Sequence, residues 1–358
     1  MQTITQTDKP GQLNISSDTA VSRITALWAL SESILGGILH ATHIPFRGLI
    51  IASASVLFIS IIFCYSKSPS QILKAGLLVI LVKLTISPHT PVMAFFAVAY
   101  QSILGYTFFR FIHSYKVAAV FLSVIALSIT GFQKIITLSI IFGFKLWDVV
   151  DDFAMNLLNL AGIVNQDSES VSLSLVIISF YILIHLTAGI FIGIISAKFP
   201  GWITDQDSDR IYSDYQLHQK AYINLKNTLK STKGSKQKYI KYGITLFILL
   251  LLVLTFLFDQ TLNKVVQSFI LISIRAILVL FIWFKIISPF ITKLLLKTLS
   301  TTKWKRAEQV EQIISLFPHL NGILHYCWQY TLCFKNKRTR FKKFLVYTFL
   351  LLLSSSNE

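Results

Sequence analysis

Apolar stretches of roughly membrane-spanning length alternate with polar, basic segments along the chain. Six of them occupy about 24–42, 47–65, 72–87, 91–110, 117–144 and 171–197, and two more occupy about 242–258 and 264–290. A helix needs about 17–25 mostly apolar residues to cross the hydrocarbon core of a bilayer. The pattern therefore predicts an all-α, polytopic membrane protein, with a six-helix bundle followed by a helix pair and basic amphipathic cytoplasmic helices.

Composition supports a membrane protein and argues against a soluble one. Hydrophobic residues make up 54% of the 358 residues and charged residues only 14%, whereas a soluble domain carries about 25% charged residues. The formal net charge of +17 would suit a nucleic-acid partner, but the basic residues lie between the apolar stretches. Orientation in a membrane explains such a distribution. We therefore expect contact with membrane lipid and no nucleic-acid partner.

Lysine and arginine in the short loops orient the predicted spans. If the N-terminus is cytoplasmic, the inner side receives Lys9, Arg23, Lys67, Lys74, Arg110 and Lys116. The segment 198–241 also falls inside, with nine basic residues against four aspartates. The loop that follows Lys145 is acidic and falls outside. Because basic loops stay on the cytoplasmic side, we expect a multi-pass membrane protein with a cytoplasmic N-terminus.

The polar segments divide the chain into four predicted parts. These are a polar cytoplasmic tail at 1–23, the six-span bundle at 24–197, a polar cytoplasmic connector at 198–241, and a two-span helix pair with a basic amphipathic tail at 242–358. The apolar piece FLVYTFLLLL at 344–353 is shorter than the ~17 residues that a perpendicular span needs. It is expected to lie in the membrane interface or to pack against protein.

An amphipathic helix is predicted within the basic tail, over RAEQVEQIISLF at 306–317. Its apolar face consists of Val310, Ile313, Ile314 and Phe317. Pro318 follows and is expected to end the helix, because proline cannot continue one. The apolar face suits either the inner leaflet of the membrane or a cytoplasmic partner that this helix would couple to the membrane.

A stripe of small residues runs along the first predicted span. Ala29, Ser33 and Gly37 recur at every fourth position. Small residues at this spacing let another helix approach closely. The stripe therefore predicts either tight packing inside the bundle or a docking face for another subunit.

A second stripe on the same span carries ionisable groups. Glu32, Gly36 and His40 share one helix face, and Glu32 falls near the middle of the membrane. An ionisable group at that depth costs several kcal/mol unless it is paired or faces a water-filled cavity. Glu32 is therefore the first candidate for a functional site, and a structural ion pair is the alternative.

Polar residues in other spans are candidates to meet Glu32. Lys134 in the fifth span is the expected counter-ion, and Lys83 and His89 near the outer end of the third span and His185 in the sixth are further candidates. The predicted solute-binding set is Glu32, His40, Gln101, Gln133 and Lys134. A second charge, Arg275, lies deep in the eighth span and is expected to snorkel or to pair with an acid in the first half.

Catalytic and metal-binding patterns do not occur in the sequence. His40, His43 and His89 are too sparse to predict a transition-metal site, and the three cysteines form no CxxC pair. The DDFAMN stretch at 151–156 only begins like a prenyl-diphosphate DDxxD motif, so we interpret it as a solvated acidic loop. There is no Walker A, GxSxG or HExxH motif. We expect no enzyme activity, no metal and no cofactor.

The first half of the chain resembles the substrate-binding (S) components of energy-coupling factor (ECF) transporters. The resemblance covers about residues 24–197, and it is carried by the six spans, by ALWALSESILGGILHATHIPFRG at 26–48 and by FQKIITLSIIFGF at 132–144. In that family the S component captures a vitamin or a metal ion at the outer side. It works in a complex with a scaffold (T) component and two ATPases. The resemblance implies that the small-residue stripe docks on the T component.

The second half departs from a lone S component. The region 242–358 is similar to the coupling part of a T component, but the Ala-Arg-Gly coupling motif is missing and RAEQ at 306–309 does not replace it. The resemblance implies a component of an ATP-dependent uptake system in the inner (plasma) membrane of a bacterium. It would bind a small vitamin-like solute and depend on ATPase and T-component partners. The alternatives are a non-transporting scaffold that recruits cytoplasmic partners, and a proton-coupled carrier that uses Glu32 and His40.

Overall fold

The structure, a computed structural model, is helical throughout the part of the chain that it describes. That part comprises residues 16–41, 46–87, 92–160, 172–204, 211, 213–216, 263–282, 285–286, 289–290, 293 and 306–354. The predicted span at 242–258 lies outside the described residues. The all-α prediction is therefore confirmed for the described residues.

The described residues form twelve α-helices, which are numbered in chain order. The first half contains α1 (Ser17–Leu30), a π-helical turn (Ser31–Leu35), α2 (Gly36–Ala41), α3 (Arg47–Ser66), α4 (Pro69–Ile86), α5 (Val92–Phe111), α6 (Tyr115–Phe142), α7 (Lys145–Leu160) and α8 (Leu173–Thr204). The second half contains α9 (Asn263–Ile282), α10 (Ala307–Ser315), α11 (Phe317–Thr331) and α12 (Lys337–Ser354).

Four of the described helices are long and apolar enough to cross a membrane. They are Arg47–Ser66, Pro69–Ile86, Tyr115–Phe142 and Leu173–Ile203. Each coincides with a span predicted from the sequence, and α5 and the α1–α2 segment overlap the remaining two of the first six. A multi-pass membrane protein is thus compatible with the structure by length and composition.

The acidic stretch 151–156 lies in α7, so its prediction as a loop is wrong. Around the aspartates, apolar residues such as Leu146, Val149 and Phe153 recur three or four positions apart, and this spacing favours an amphipathic helix. The Asp151 carboxylate accepts hydrogen bonds from the backbone N–H of Ser174 and from nearby serine hydroxyls at the start of α8. Asp151 therefore caps that helix.

The described chain separates into two compact units. The first comprises the described residues of 1–136, 176–218 and 284–358, and the second comprises those of 137–175 and 219–283. The division differs from the four predicted parts, because α10–α12 belong to the same unit as the N-terminal helices. Within the second unit, α7 contacts α9.

The C-terminal helix α12 belongs to the core of the first unit. Residues 349–353 are each only 1% exposed. The Phe349 ring contacts Phe58 of α3 and Phe199 of α8, with centroids 6.0 and 5.0 Å apart. Arg23 of α1 donates a buried hydrogen bond of 2.9 Å to the Leu352 carbonyl. Of the two predicted positions for residues 344–353, the structure shows packing against protein.

The amphipathic helix also packs inside the first unit. Val310 and Ile313 are buried, and α10 contacts α1 and α4. Its apolar face is therefore covered by this chain's own helices. α10 ends at Ser315, and Pro318 lies in the first turn of α11, where the missing N–H of proline costs nothing. The helix therefore ends two residues before the predicted Phe317, and Pro318 belongs to the start of the next helix instead of following a helix end.

Two glycines of α8 bring this helix against the backbone of α6. A Cβ added at Gly189 would lie 2.8 Å from Val124 Cα, and one added at Gly193 would lie 2.9 Å from Val120 Cα. The two positions form a GxxxG pair, which lets membrane helices pack at close range.

Candidate functional site

A buried ion pair joins α4 to the π-helical turn that follows α1. Lys83 Nζ lies 2.7 Å from Glu32 Oε2, and both side chains are about 5% exposed or less. At this distance the Coulomb attraction is on the order of 6 kcal/mol at an effective dielectric of about 20. Removing each ion from water costs several kcal/mol. Because the two terms are similar in size, the pair contributes little net stability, and a role beyond stability is favoured.

Ser55 connects the carboxylate to α3 and to an indole ring. Its hydroxyl donates to Glu32 Oε1 at 2.7 Å and accepts from Trp28 Nε1 at 3.1 Å. Trp28 is fully buried. Each Glu32 oxygen therefore has one partner, Lys83 on one side and Ser55 on the other. Such charge-assisted hydrogen bonds are stronger than neutral ones.

The backbone around Glu32 departs from regular α-helix. Ser31–Leu35 form a π-helical turn between α1 and α2. π-helical turns are rare and frequently occur at functional sites. Gly36, which follows the turn, has Ile51 of α3 at 3.6 Å from an added Cβ. The turn thus places the Glu32 side chain between α3 and α4.

Gln101 of α5 is a buried amide in the same unit as Glu32. The side chain is 2% exposed, and its Oε1 has no hydrogen-bond partner among the described residues. The hydroxyl of the adjacent Tyr100 lies 2.9 Å from Thr130 Oγ1 of α6. An unsatisfied buried acceptor costs about 1–3 kcal/mol. A donor group from a bound molecule would recover that cost.

Tight packing closes one side of this region. A Cβ added at Gly76 of α4 would overlap the Ser102 side chain of α5 and would lie 3.7 Å from the Trp28 ring. Gly76 thus lets α4 and α5 approach each other beside the indole. We refer to Trp28, Glu32, Ser55, Lys83 and Gln101 as the Glu32 cluster.

The predicted counter-ion is wrong. Lys134, expected to pair with Glu32, has an exposed side chain on α6, whereas Lys83 makes the contact. Lys83 lies near the C-terminal end of α4, where the sequence suggests a lysine that snorkels to the membrane surface. Its contact with Glu32 of the π-helical turn holds the Lys83 side chain in the interior instead. No local pattern in the sequence distinguishes these two possibilities.

The other residues of the predicted solute-binding set do not all lie in the Glu32 cluster. Gln101 is buried as described above, and Gln133 is half-buried on α6. His40 lies on α2, but its side chain is outside the part that the structure describes. His43 and His89 are also outside it. Of the predicted set, Glu32 and Gln101 belong to the cluster, and Lys134 does not.

The small-residue stripe has a mixed environment. Ala29 is fully buried and Ser33 is 8% exposed, so both lie inside the unit. An added Cβ at Gly37 would meet nothing within 4 Å. The first two residues therefore serve internal packing in this structure, and Gly37 alone of the three presents an open surface. Docking on another subunit stays a prediction.

Two further ionisable residues that the sequence singles out, the buried His185 and the exposed Arg275, have their own surroundings. His185 of α8 is 1% exposed, its Nδ1 lies 2.9 Å from the Tyr181 carbonyl, and its ring packs on Gly131 and Phe46. In the second unit, the Arg275 guanidinium packs on Gly143 at the C-terminal end of α6. Among the described residues, no group of three or more His, Cys, Asp or Glu side chains is placed to hold a metal ion.

Comparisons with protein-family models, with curated proteins and with solved structures give no match to this chain. Function is therefore inferred from the geometry of the Glu32 cluster and from its position among the apolar helices.

Proposed function

We propose that this protein is the membrane component of an uptake system, and that it binds a small polar, vitamin-like solute beside the Glu32 cluster. The observation that carries the proposal is the unsatisfied Gln101 Oε1, buried in the same unit as the Glu32–Lys83 ion pair. A carboxylate, an ammonium group and an amide offer both donors and acceptors to one solute. A few polar groups in an apolar enclosure are typical of small-molecule sites.

The energy source in this proposal is ATP hydrolysis by separate subunits. It is supported by the resemblance of residues 24–197 to ECF S components, and by the absence of a Walker A motif in this chain. The expected partners are two ATPases and a T component. Gly37 is the residue of the small-residue stripe that remains accessible for contact with them.

The binding part of the proposal is tested on purified full-length protein with a panel of vitamins and their precursors. Binding is measured by thermal shift and by native mass spectrometry. Gln101→Leu is the informative variant, because it removes a buried polar group without leaving a charge unpaired. We expect unchanged or higher stability together with loss of solute binding. Lys134→Gln is the control and should bind like the unmodified protein.

The partner part is tested by affinity purification from native membranes. Co-purifying ATPase subunits support the ATP-dependent system. If no solute binds across the panel and no small molecule co-purifies, the solute-binding proposal is wrong. If a solute binds but no ATPase co-purifies, the energy source must be different.

A proton-coupled carrier is the second candidate, and the Glu32–Lys83 pair favours it. Protonation of Glu32 would remove its negative charge and leave the Lys83 ammonium buried without its counter-ion, so the helices would have reason to rearrange. In proteoliposomes without ATPases, an imposed proton gradient would then drive uptake. Glu32→Gln should abolish that uptake, whereas an ATP-dependent system would show none under these conditions.

A further inference from the structure

A basic cavity lies between the end of α8 and the first turns of α12, both in the first unit. It has a volume of about 330 Å³ and is lined by Trp202, Arg338, Thr339, Lys342, Lys343 and Val346. None of these lining residues is acidic. The cavity shares no residue with the Glu32 cluster, and the proposed uptake function does not use it.

The sequence of α12 concentrates positive charge on this cavity. Arg338 and Lys342 are four residues apart, so they lie one above the other on the helix face. Lys343 adjoins them, and Thr339 adds a hydroxyl. Like charges at this spacing repel each other. An anion bound between Arg338 and Lys342 would offset this repulsion. It would also accept charge-assisted hydrogen bonds, which are stronger than hydrogen bonds between neutral groups.

Trp202 sets the position of the cavity relative to the membrane. It is the residue before the end of the apolar stretch Leu173–Ile203. Tryptophan at the end of a membrane span lies at the level of the lipid headgroups. Lys342 Nζ lies 4.5 Å from the centroid of the Trp202 ring, a cation–π contact that holds the ammonium group at that level.

The surroundings suit a lipid better than a soluble anion. Val346, one of the residues that line the cavity, is 1% exposed and begins the buried part of α12. On α8, Phe191 and Ile194 are 63% and 43% exposed, which gives acyl chains an apolar surface on the same helix. A bound phospholipid would place its phosphate beside Arg338 and its acyl chains along the apolar surface of α8.

We propose that this cavity binds the phosphate of an anionic phospholipid at the headgroup level beside Trp202. Guanidinium groups match phosphate oxygens in bidentate geometry, and basic pockets beside membrane helices recognise anionic headgroups. The bound lipid would link α8 to α12.

The test uses full-length protein purified in detergent with a defined mixture of phosphatidylglycerol and phosphatidylcholine. Native mass spectrometry counts the retained phosphatidylglycerol. The variant R338Q/K342Q removes two charges from the cavity. The variant K335Q/K337Q is the matched control, because it removes two exposed charges from the same segment that do not line the cavity.

We expect one retained phosphatidylglycerol in the unmodified protein and in the control, and an affinity about thirty-fold lower in R338Q/K342Q, as follows from the contribution of two basic residues near a membrane surface. Trp202→Phe should retain the lipid, and Trp202→Leu should weaken it. Circular dichroism confirms that each variant is folded.

Three outcomes would overturn the proposal. If both double variants lose the lipid equally, the attraction is a diffuse effect of net charge. If neither loses it, the cavity is not the site. If inorganic phosphate or glycerol phosphate binds as tightly as phosphatidylglycerol, the cavity holds a soluble anion rather than a lipid.

Discussion

Lys83 and Glu32 are 51 residues apart in the chain, yet Lys83 Nζ lies 2.7 Å from Glu32 Oε2 in the buried interior of the first unit. The contact ties the π-helical turn to α4, and it leaves neither charge exposed to solvent. Any change to one partner therefore acts on the other.

The ion pair predicts a non-additive pattern of stabilities. Glu32→Gln or Lys83→Gln leaves a buried charge without its partner and should lower the free energy of unfolding by about 3–5 kcal/mol. The double variant E32Q/K83Q removes both charges and should recover most of that loss. Thermal unfolding in detergent measures the three variants, with Lys134→Gln as a control for a lysine on the surface. Additive losses would contradict a direct pair.

Ser55→Ala should destabilise the protein by about 1–3 kcal/mol, because it leaves the Trp28 Nε1–H buried without an acceptor. Ser53→Ala is the matched control on α3, since its hydroxyl only bonds to the Leu49 carbonyl of the same helix. Unfolding curves of both variants give the comparison. Equal effects would show that the Ser55 bridge contributes nothing specific.

Gly76→Ala should be destabilising by about 1–3 kcal/mol, because the added methyl overlaps Ser102 of α5. The variant G76A/S102G removes the obstructing side chain and should recover part of the loss. Gly37→Ala is the control, since its methyl meets nothing within 4 Å and alanine favours a helix. If Gly37→Ala reduces partner co-purification without loss of stability, the docking prediction gains support.

Asp151 predicts an acid-dependent loss of stability. Hydrogen bonds from the Ser174 backbone N–H and from serine hydroxyls hold the pKa of the Asp151 carboxyl below its usual value. A carboxyl group whose pKa is lower in the folded state stabilises the fold at pH values above its pKa in the unfolded state. This stability is lost as the pH falls through the pKa of the folded state. Asp151→Ala should flatten this acidic dependence in thermal unfolding, whereas Asp152→Ala should leave it unchanged.

Thiol labelling tests the packing of the C-terminal helices. Burial raises the pKa of Cys327 to about 12, and its side chain is 0% exposed, so reactive thiolate is scarce at pH 8. Cys333 is exposed. A maleimide reagent should label Cys333 rapidly and Cys327 only after denaturation. In the variant C333S, rapid labelling of Cys327 under native conditions would contradict the burial of α11 in the core of the first unit.

The sequence predicts most of the helices and little of the contacts between them. Apolar length locates the helices because each membrane span must satisfy its own backbone hydrogen bonds. The same information cannot show that α12 packs between α3 and α8, because an apolar run of ten residues is equally suited to lipid and to protein. The sequence does not predict the helix over 145–160, because clustered aspartates are typical of a solvated loop.

The candidate site shows the same limit. Glu32 and Gln101 stand out because each is polar within an apolar stretch. Ser55 and Trp28 do not stand out, since serine and tryptophan are ordinary in membrane helices. The partner of Glu32 is mispredicted because helix spacing orders residues within one helix, whereas the distance from Lys83 depends on how two helices pack.

The contact between Arg23 and the Leu352 carbonyl spans 329 positions of the chain, and this has a consequence for biosynthesis. α1 and α3 leave the ribosome long before α12, so the core of the first unit is incomplete throughout most of translation. Contacts of such high sequence separation form late and slow folding. Until α12 arrives, the surfaces of Phe58 and Phe199 that it covers must be shielded by lipid or by an insertion chaperone.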